Sequence, residues 1–308
     1  MDIIKNFPLS KITTLGIGGP AKEFVVVKST DELSEAIKYA KKQNLHYYIV
    51  GGGSNLLIND KGVDFLVIKN EISGISHLGG VIKVKSGTPL QELVDFTIEH
   101  NLSGLENLTG IPGSVGGAIF GNAGAYGQTI SDHLESVSIL NEEGESKDLS
   151  KDECGFNYRD SMFKKNGLII LEVTFSLDKG DREQLQNGAK EILSQRLIKY
   201  PAGIKCPGSF FKNIIAETLP KEIIEKLPPE KVPYGKVNAG YLLEEVGAKG
   251  KRLGDIEIAD YHANLFVNIG NGTAKDFYDL AKQQKQKVEE KFGITLEPEV
   301  QLVNLPPI

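Results

Sequence analysis

"GIPGSVGGAIFGNAGAYG" (110–127) carries seven glycines, two aromatic residues and no charged side chain. Glycine stands where the chain needs φ > 0 or where another group must approach the backbone closely. A second cluster, "VGGGSNLLIND" (50–60), ends a short β-rich run and predicts a sharp turn whose successive N–H groups form an anion-binding nest. Neither cluster ends in Gly-Lys-Ser/Thr, and neither sets Gly-x-Gly-x-x-Gly between a strand and a long helix, which disfavours a P-loop and a Rossmann domain. Each cluster alone fits either a tight loop or a backbone cradle. The pair, sitting in successive α/β units, fits two backbones that enclose one extended ligand with a diphosphate at its centre.

The surrounding sequence supplies those units. "EFVVV" (23–27) predicts a strand, and "STDELSEAIKYAKKQN" predicts a helix with Leu33, Ala36, Ile37 and Ala40 on one face and a capping box at Ser29 and Glu32. "YYIV" (47–50), "FLVIK" (65–69) and "VIKVKSG" (81–87) read as strands. A helix from Pro89 to His100 turns Leu90, Leu93, Val94 and Ile98 inward. Beyond the glycine-rich run come strands at 135–140 and 168–177, with a turn at "NEEGE". A helix over about 181–199 is expected to bury Leu185, Ala189, Ile192, Leu193 and Leu197. From Tyr200 to Gly240 prolines interrupt many lysines and glutamates, which predicts a linker and an irregular, partly helical excursion. Regular order returns with a strand at 263–270, a helix from Thr273 to Phe292 and a last strand in "LEPEVQLV".

Composition bounds the function. The 308 residues are 40 % apolar and 25 % charged, enough for a large core in two or three domains. A net charge of −6 argues against sequence-independent binding to nucleic acid or to an anionic membrane, so any bound anion is held locally. No apolar run approaches the ~20 residues of a membrane span. "MDIIKNFPLS" lacks a signal-peptide pattern, and the expected compartment is the cytoplasm. Cys154 and Cys206 read as ordinary thiols, and the five histidines are scattered with no metal spacing.

Six segments in order, "NFPLSKITTLGIGGPA" (6–21), "VGGGSNLL" (50–57), "GLENLTGIPGSVGGAIFGNAGAYG" (104–127), "YRDSMF" (158–163), "GSFFKN" (208–213) and "LEPEV" (296–300), give the chain a family signature. It resembles the UDP-N-acetylenolpyruvoylglucosamine reductases of peptidoglycan synthesis, in the shorter type that lacks an inserted tyrosine-bearing loop, since only 49 residues separate Arg159 from Ser209. The resemblance implies an α+β fold: an FAD-binding domain of the vanillyl-alcohol-oxidase type made of two α/β subdomains (1–72 and 73–199), then a smaller α+β substrate domain (200–308). It implies FAD against Gly51, Gly52, Gly53, Ser54, Asn55, Gly110, Pro112, Gly113, Ser114, Gly116, Gly117, Gly121, Asn122, Gly124 and Ala125. It further implies NADPH as electron donor, a UDP-sugar carrying an enolpyruvyl ether as substrate, and a monomer.

By the same resemblance Arg159, Ser209 and Glu299 are the catalytic residues. Ser209 is the proton donor, Arg159 holds the pyruvyl carboxylate, and Glu299 orients the arginine or polarises the enol. Lys212, Lys199 or Lys205 is expected to support Ser209 electrostatically. Tyr158, Asn213, His262 and Asn264 are candidate substrate contacts, with a capping role equally open for the last two. The excursion at 214–240 is longer than the family pattern and reads either as a lid bearing Tyr234 or Tyr241 or as a surface elaboration. Gln301 stands where an arginine is usual. Two other readings remain: a flavoprotein oxidase of the same fold, and a non-catalytic FAD-binding regulator.

Overall fold

Alternating burial along Pro20–Val27 turns Ala21, Val25 and Val27 inward. The helix that follows, Thr30–Lys42, buries Leu33, Ala36, Ile37 and Ala40 as one stripe. Ser29 caps it by accepting from the Glu32 amide at 3.1 Å, while the Glu32 carboxylate takes the Lys28 amide at 2.6 Å. This is a capping box displaced by one residue. In the computed structural model, which describes residues 1–141 and 144–308, the chain forms two units. One comprises Met1–Phe7, Ala21–Gly53 and Asp64–Ile198; the other comprises Pro8–Pro20, Ser54–Val63 and Lys199–Ile308.

The first unit holds the two larger sheets. One runs in the order Ile4–Pro8, Pro20–Val27, Val63–Asn70, Tyr47–Val50, the last two parallel with Tyr47 opposite Leu66. The other is antiparallel, in the order Ser146–Ser150, Leu134–Leu140, Ile169–Ser176, Val81–Lys85, Ile75–Leu78. Val137 and Val84 both lie opposite Val173 across this sheet, and helix Leu90–Glu99 adds Leu90, Leu93, Val94 and Ile98 to the same core. The strand at Ser146–Ser150 carries no apolar alternation, since only Leu149 in it is buried. Of the turn expected at 141–145, Glu142 and Glu143 lie outside the described residues.

Helix Arg182–Lys199 buries Leu185, Ala189 and Ile192, but Leu193 and Leu197 are 38 % and 48 % exposed. The expected buried face therefore stops at Ile192, with Leu193 only partly covered beside Gly110. Similarly, the strand expected at 263–270 is confined to Phe266–Asn268. Before it the backbone turns, the His262 amide bonding to Ala259 and the Leu265 amide to His262.

In the second unit a three-stranded antiparallel sheet, Arg252–Leu253, Ile256–Ile258 and Phe266–Asn268, packs with helices Ala239–Glu245 and Ala274–Phe292. Phe210, Phe211, Phe266 and Phe277 form the centre, with ring centroids 4.7 to 6.3 Å apart for the pairs in contact. The edge-to-face geometry among them adds ~0.5–1.5 kcal/mol per pair beyond burial. Two early segments complete this unit. Leu15 and Ile17 enter its core, and Asp60 caps helix Ala274–Phe292 by accepting the Ala274 and Lys275 amides at 2.8 and 3.0 Å. Leu56–Ile58 pairs in parallel with Gln301–Val303.

Candidate active site

The two glycine clusters meet backbone to backbone inside the first unit. A methyl on Gly52 would fall within the van der Waals radius of the Gly113 Cα, and one on Gly51 would strike Ser114 Oγ. Gly116 is held as closely, its amide bonding to the Ser86 carbonyl at 2.7 Å. Ser114 caps helix Val115–Gly121 by accepting from Gly117 at 3.3 Å. Asn122, in the left-handed region at φ 43°, closes that helix. Gly110 bonds through its amide to Gln91 Oε1 at 2.7 Å. Gly124 and Ala125 pair with Thr129 and Gln128 in a short ladder.

Whether this frame fits FAD can be judged from what it leaves open. Among the described residues no backbone carbonyl accepts from the amides of Gly52, Gly53 or Gly113. A Cβ on Gly121 would meet nothing within 4 Å. Lys69 donates to the Gly51 carbonyl, and burial lowers the pKa of this half-buried lysine. Open amides, bare surface and one cation behind the turn are what a dinucleotide diphosphate requires, so the residues fit the cofactor. Ser54 and Asn55, at the other end of the "GGGSN" run, belong to the second unit.

Arg159 sits in a tight turn closed by reciprocal backbone bonds between Asn157 and Asp160 at 3.0 and 3.1 Å. Its φ is +54°, in the left-handed region that residues other than glycine seldom adopt. The guanidinium reaches back to the glycine-rich run, donating to the carbonyls of Gly124 at 2.8 Å and Asn122 at 3.5 Å. The Asn122 side-chain amide in turn donates to the Asn157 carbonyl at 2.9 Å. Lys164 donates to the Arg159 carbonyl at 2.7 Å. Tyr158 lies under the Arg159 guanidinium, 5.4 Å from Cζ to ring centre. Asp160 is paired with Lys165 at 2.9 Å.

Ser209 and Glu299 come together in the second unit. The Glu299 amide donates to the Phe210 carbonyl at 2.7 Å and the Lys212 amide to the Glu297 carbonyl at 2.9 Å, so 209–212 runs beside 297–299. On its other side 209–211 is gripped by Asn264. The Asn264 carbonyl accepts from Phe210 at 3.0 Å, while its side-chain amide accepts from the Phe211 N–H at 2.9 Å and donates to the Phe211 carbonyl at 2.8 Å. Asn264 is 3 % exposed, so its position is that of a clamp inside the protein. Asn55 donates to the Glu299 carbonyl at 3.1 Å and accepts from the Gln301 amide at 2.9 Å. Asn55 thus fixes the glutamate's backbone.

The other candidates have structural partners. Asn213 accepts the Ala239 amide at 3.1 Å at the start of helix Ala239–Glu245. His262 is mostly buried, and burial, followed by Lys199 and Lys249, pushes its pKa down to about 4. Lys212 pairs with Glu297 at 3.6 Å. In the excursion, Ile214–Ile215 pairs with Lys236–Val237, and Leu219, Ile223, Ile224 and Leu227 pack on the core. Tyr234 is 95 % exposed, whereas Tyr241 packs against the core with Lys231 5.4 Å from its ring centre.

Four residues near these positions carry no sequence motif. Lys69 lies behind Gly51, and Leu193 and Arg196 flank Gly110. Tyr200 places its hydroxyl 3.1 Å from Ser209 Oγ. Only the strand position of Lys69, two residues after the buried Val67, hinted that its side chain faces inward.

Two glycine runs that meet on an α/β frame, with a second unit that is α+β, are the architecture of an FAD-binding flavoprotein of the vanillyl-alcohol-oxidase type. Residues 21–150 match the FAD binding domain family and residues 200–303 match the UDP-N-acetylenolpyruvoylglucosamine reductase C-terminal domain. Proteins named UDP-N-acetylenolpyruvoylglucosamine reductase are 40 % identical in Solibacter usitatus, over 96 % of this chain and 95 % of that one. A second reductase so named in Bacillus cereus is 38 % identical, over 96 % and 90 %. The crystal structure of UDP-N-acetylenolpyruvylglucosamine reductase (MurB) from Thermus caldophilus aligns with a TM-score of 0.77 at 33 % identity, over 98 % of both chains. The chain belongs to the UDP-N-acetylenolpyruvoylglucosamine reductase family. Among the described residues no helix is long and apolar enough to cross a membrane.

Proposed function

We propose that this protein is an oxidoreductase of peptidoglycan synthesis that reduces the enolpyruvyl ether of UDP-N-acetylglucosamine enolpyruvate to UDP-N-acetylmuramate, using NADPH. FAD, when bound, accepts electrons from NADPH and supplies hydride to the methylene carbon of the enolpyruvyl group. Negative charge then develops beside the substrate carboxylate, and the chain's own residues must hold that charge and deliver a proton.

Arg159 is the charge-holding residue. Its planar fork can grip the carboxylate bidentately and spread the enolate charge, and a fixed donor of this kind typically contributes about 2.7–4 kcal/mol. Ser209 gives the proton from Oγ, a contribution of the order of 10² to 10⁴ in rate. Glu299 polarises the enol from the adjacent segment. Tyr158 and Asn213 position the substrate. His262 acts as a neutral neighbour, and Asn264 acts by fixing the Phe210–Phe211 backbone.

The observation that carries this reading is the bond from the Glu299 amide to the Phe210 carbonyl. It draws together two family positions that lie 90 residues apart in sequence. The test is anaerobic. The yellow protein bleaches with NADPH and regains its colour when UDP-N-acetylglucosamine enolpyruvate is added; failure to regain colour removes the assignment. Ser209→Ala bleaches normally and recovers slowly, because proton donation follows flavin reduction.

A further inference from the structure

Ser209 has to be re-protonated after every turnover, and its surroundings supply a candidate. The Tyr200 hydroxyl lies 3.1 Å from Ser209 Oγ, and either oxygen can donate. Tyr200 is half-buried. Its ring packs with Cys206, Ala259 and Leu265 and stands edge-on to His262, centroids 6.4 Å apart. The charged and titratable groups facing this corner are Lys199, Cys206, Lys249, Asp260, Tyr261 and His262. His262 is neutral at physiological pH and Cys206 is held protonated by burial, which leaves the phenol as the acid in contact with the serine.

We propose that Tyr200 is a positioning residue for Ser209, fixing the rotamer of Oγ and passing a proton to it as the serine gives up its own. The inference rests on the reading of Ser209 as proton donor. The balance is simple. The Ser209 O–H bond breaks as the substrate C–H bond forms, the Tyr200 O–H bond breaks as the Ser209 O–H bond re-forms, and the phenolate takes a proton from solvent. The last-named step consumes the one proton that reduction by NADPH requires. A phenol, with an ordinary pKa of ~10, is a stronger acid than an alkyl alcohol, so transfer from Tyr200 to a serine alkoxide runs downhill.

The experiment uses the flavin-loaded enzyme and Tyr200→Phe, with thermal melting and the bound-flavin spectrum checking the fold. Bleaching by NADPH is expected to be unchanged, recovery with the enolpyruvyl substrate to slow by about 10- to 100-fold in kcat with KM unmoved, and the proton inventory in mixed H₂O and D₂O to fall from two transferred protons to one. Wild-type recovery with an unchanged inventory overturns the proposal. Ultraviolet titration of tyrosine gives a readout that needs no substrate. The ionisation lost in Tyr200→Phe should shift in Ser209→Ala, and an unshifted titration also overturns the pairing. If Tyr200→Phe does not fold, 3-fluorotyrosine at position 200 keeps the ring, and the alkaline limb of the recovery rate should then move to lower pH; a fixed limb counts against the relay. Wild type that bleaches and never recovers instead defeats the functional reading, while the titration still decides the hydroxyl pair.

Discussion

Gly52 faces the Cα of Gly113 with no room for a methyl between them. The two glycine runs are therefore joined at this point by main chain alone. Gly52→Ala must push the runs apart, an overpacking cost of typically 1–3 kcal/mol, and purified protein should carry little flavin. Gly121→Ala separates packing from cofactor contact, because its Cβ meets only open space in the protein. Its melting temperature without FAD should hold or rise, alanine being ~1 kcal/mol better than glycine within a helix, while FAD affinity falls. Unchanged FAD affinity in Gly121→Ala would show that the cofactor does not lie there.

Arg159→Lys keeps the charge and loses the fork that spans the Gly124 and Asn122 carbonyls. Stopped-flow measurement should show normal bleaching by NADPH and recovery slowed by ~10², the usual loss for one aimed donor. Equal slowing of both half-reactions would place Arg159 in cofactor support instead.

Asn264→Ala leaves the buried Phe211 N–H and carbonyl without their side-chain partner. An unsatisfied buried group costs ~1–3 kcal/mol. Urea unfolding should register that loss together with slower recovery, since Ser209 is two residues from Phe211.

His262 carries a pH signature. Its pKa falls from 6.5 in the unfolded chain to about 4 in the fold, through burial first and then Lys199 and Lys249. Between those values the unfolded chain binds a proton that the folded protein refuses, so stability drops as pH falls from 6.5 towards 4. Urea midpoints for wild type and His262→Gln, followed across this window, should converge or cross as the wild type loses its advantage. A gap independent of pH would rule His262 out as the source.

Short-range pattern exposed much of this architecture. Helix Thr30–Lys42 with its Ser29 cap and strand Tyr47–Val50 follow from periodicity and capping chemistry that act within a few residues. The polar strand Ser146–Ser150 was invisible because its pairing with Leu134–Leu140, not its side chains, defines it. The clustering of Leu15, Ile17 and Leu57 with the core of residues 210–300 is likewise a long-range event with no local periodicity. In the site, the glycine runs announced themselves by composition. Tyr200 and Lys69 did not, because a lone tyrosine or lysine gains its meaning only from the atom it touches.

The excursion leaves and rejoins the second unit at adjacent points, since Ile214 lies opposite Val237 and Ile215 opposite Lys236. Such a closed detour is a natural port for protein engineering. Tyr234, two residues before its closing strand, is almost wholly in solvent, and a tag, a fluorophore or a second binding module inserted there would be carried without shifting the register that sets Ser209 beside Glu299.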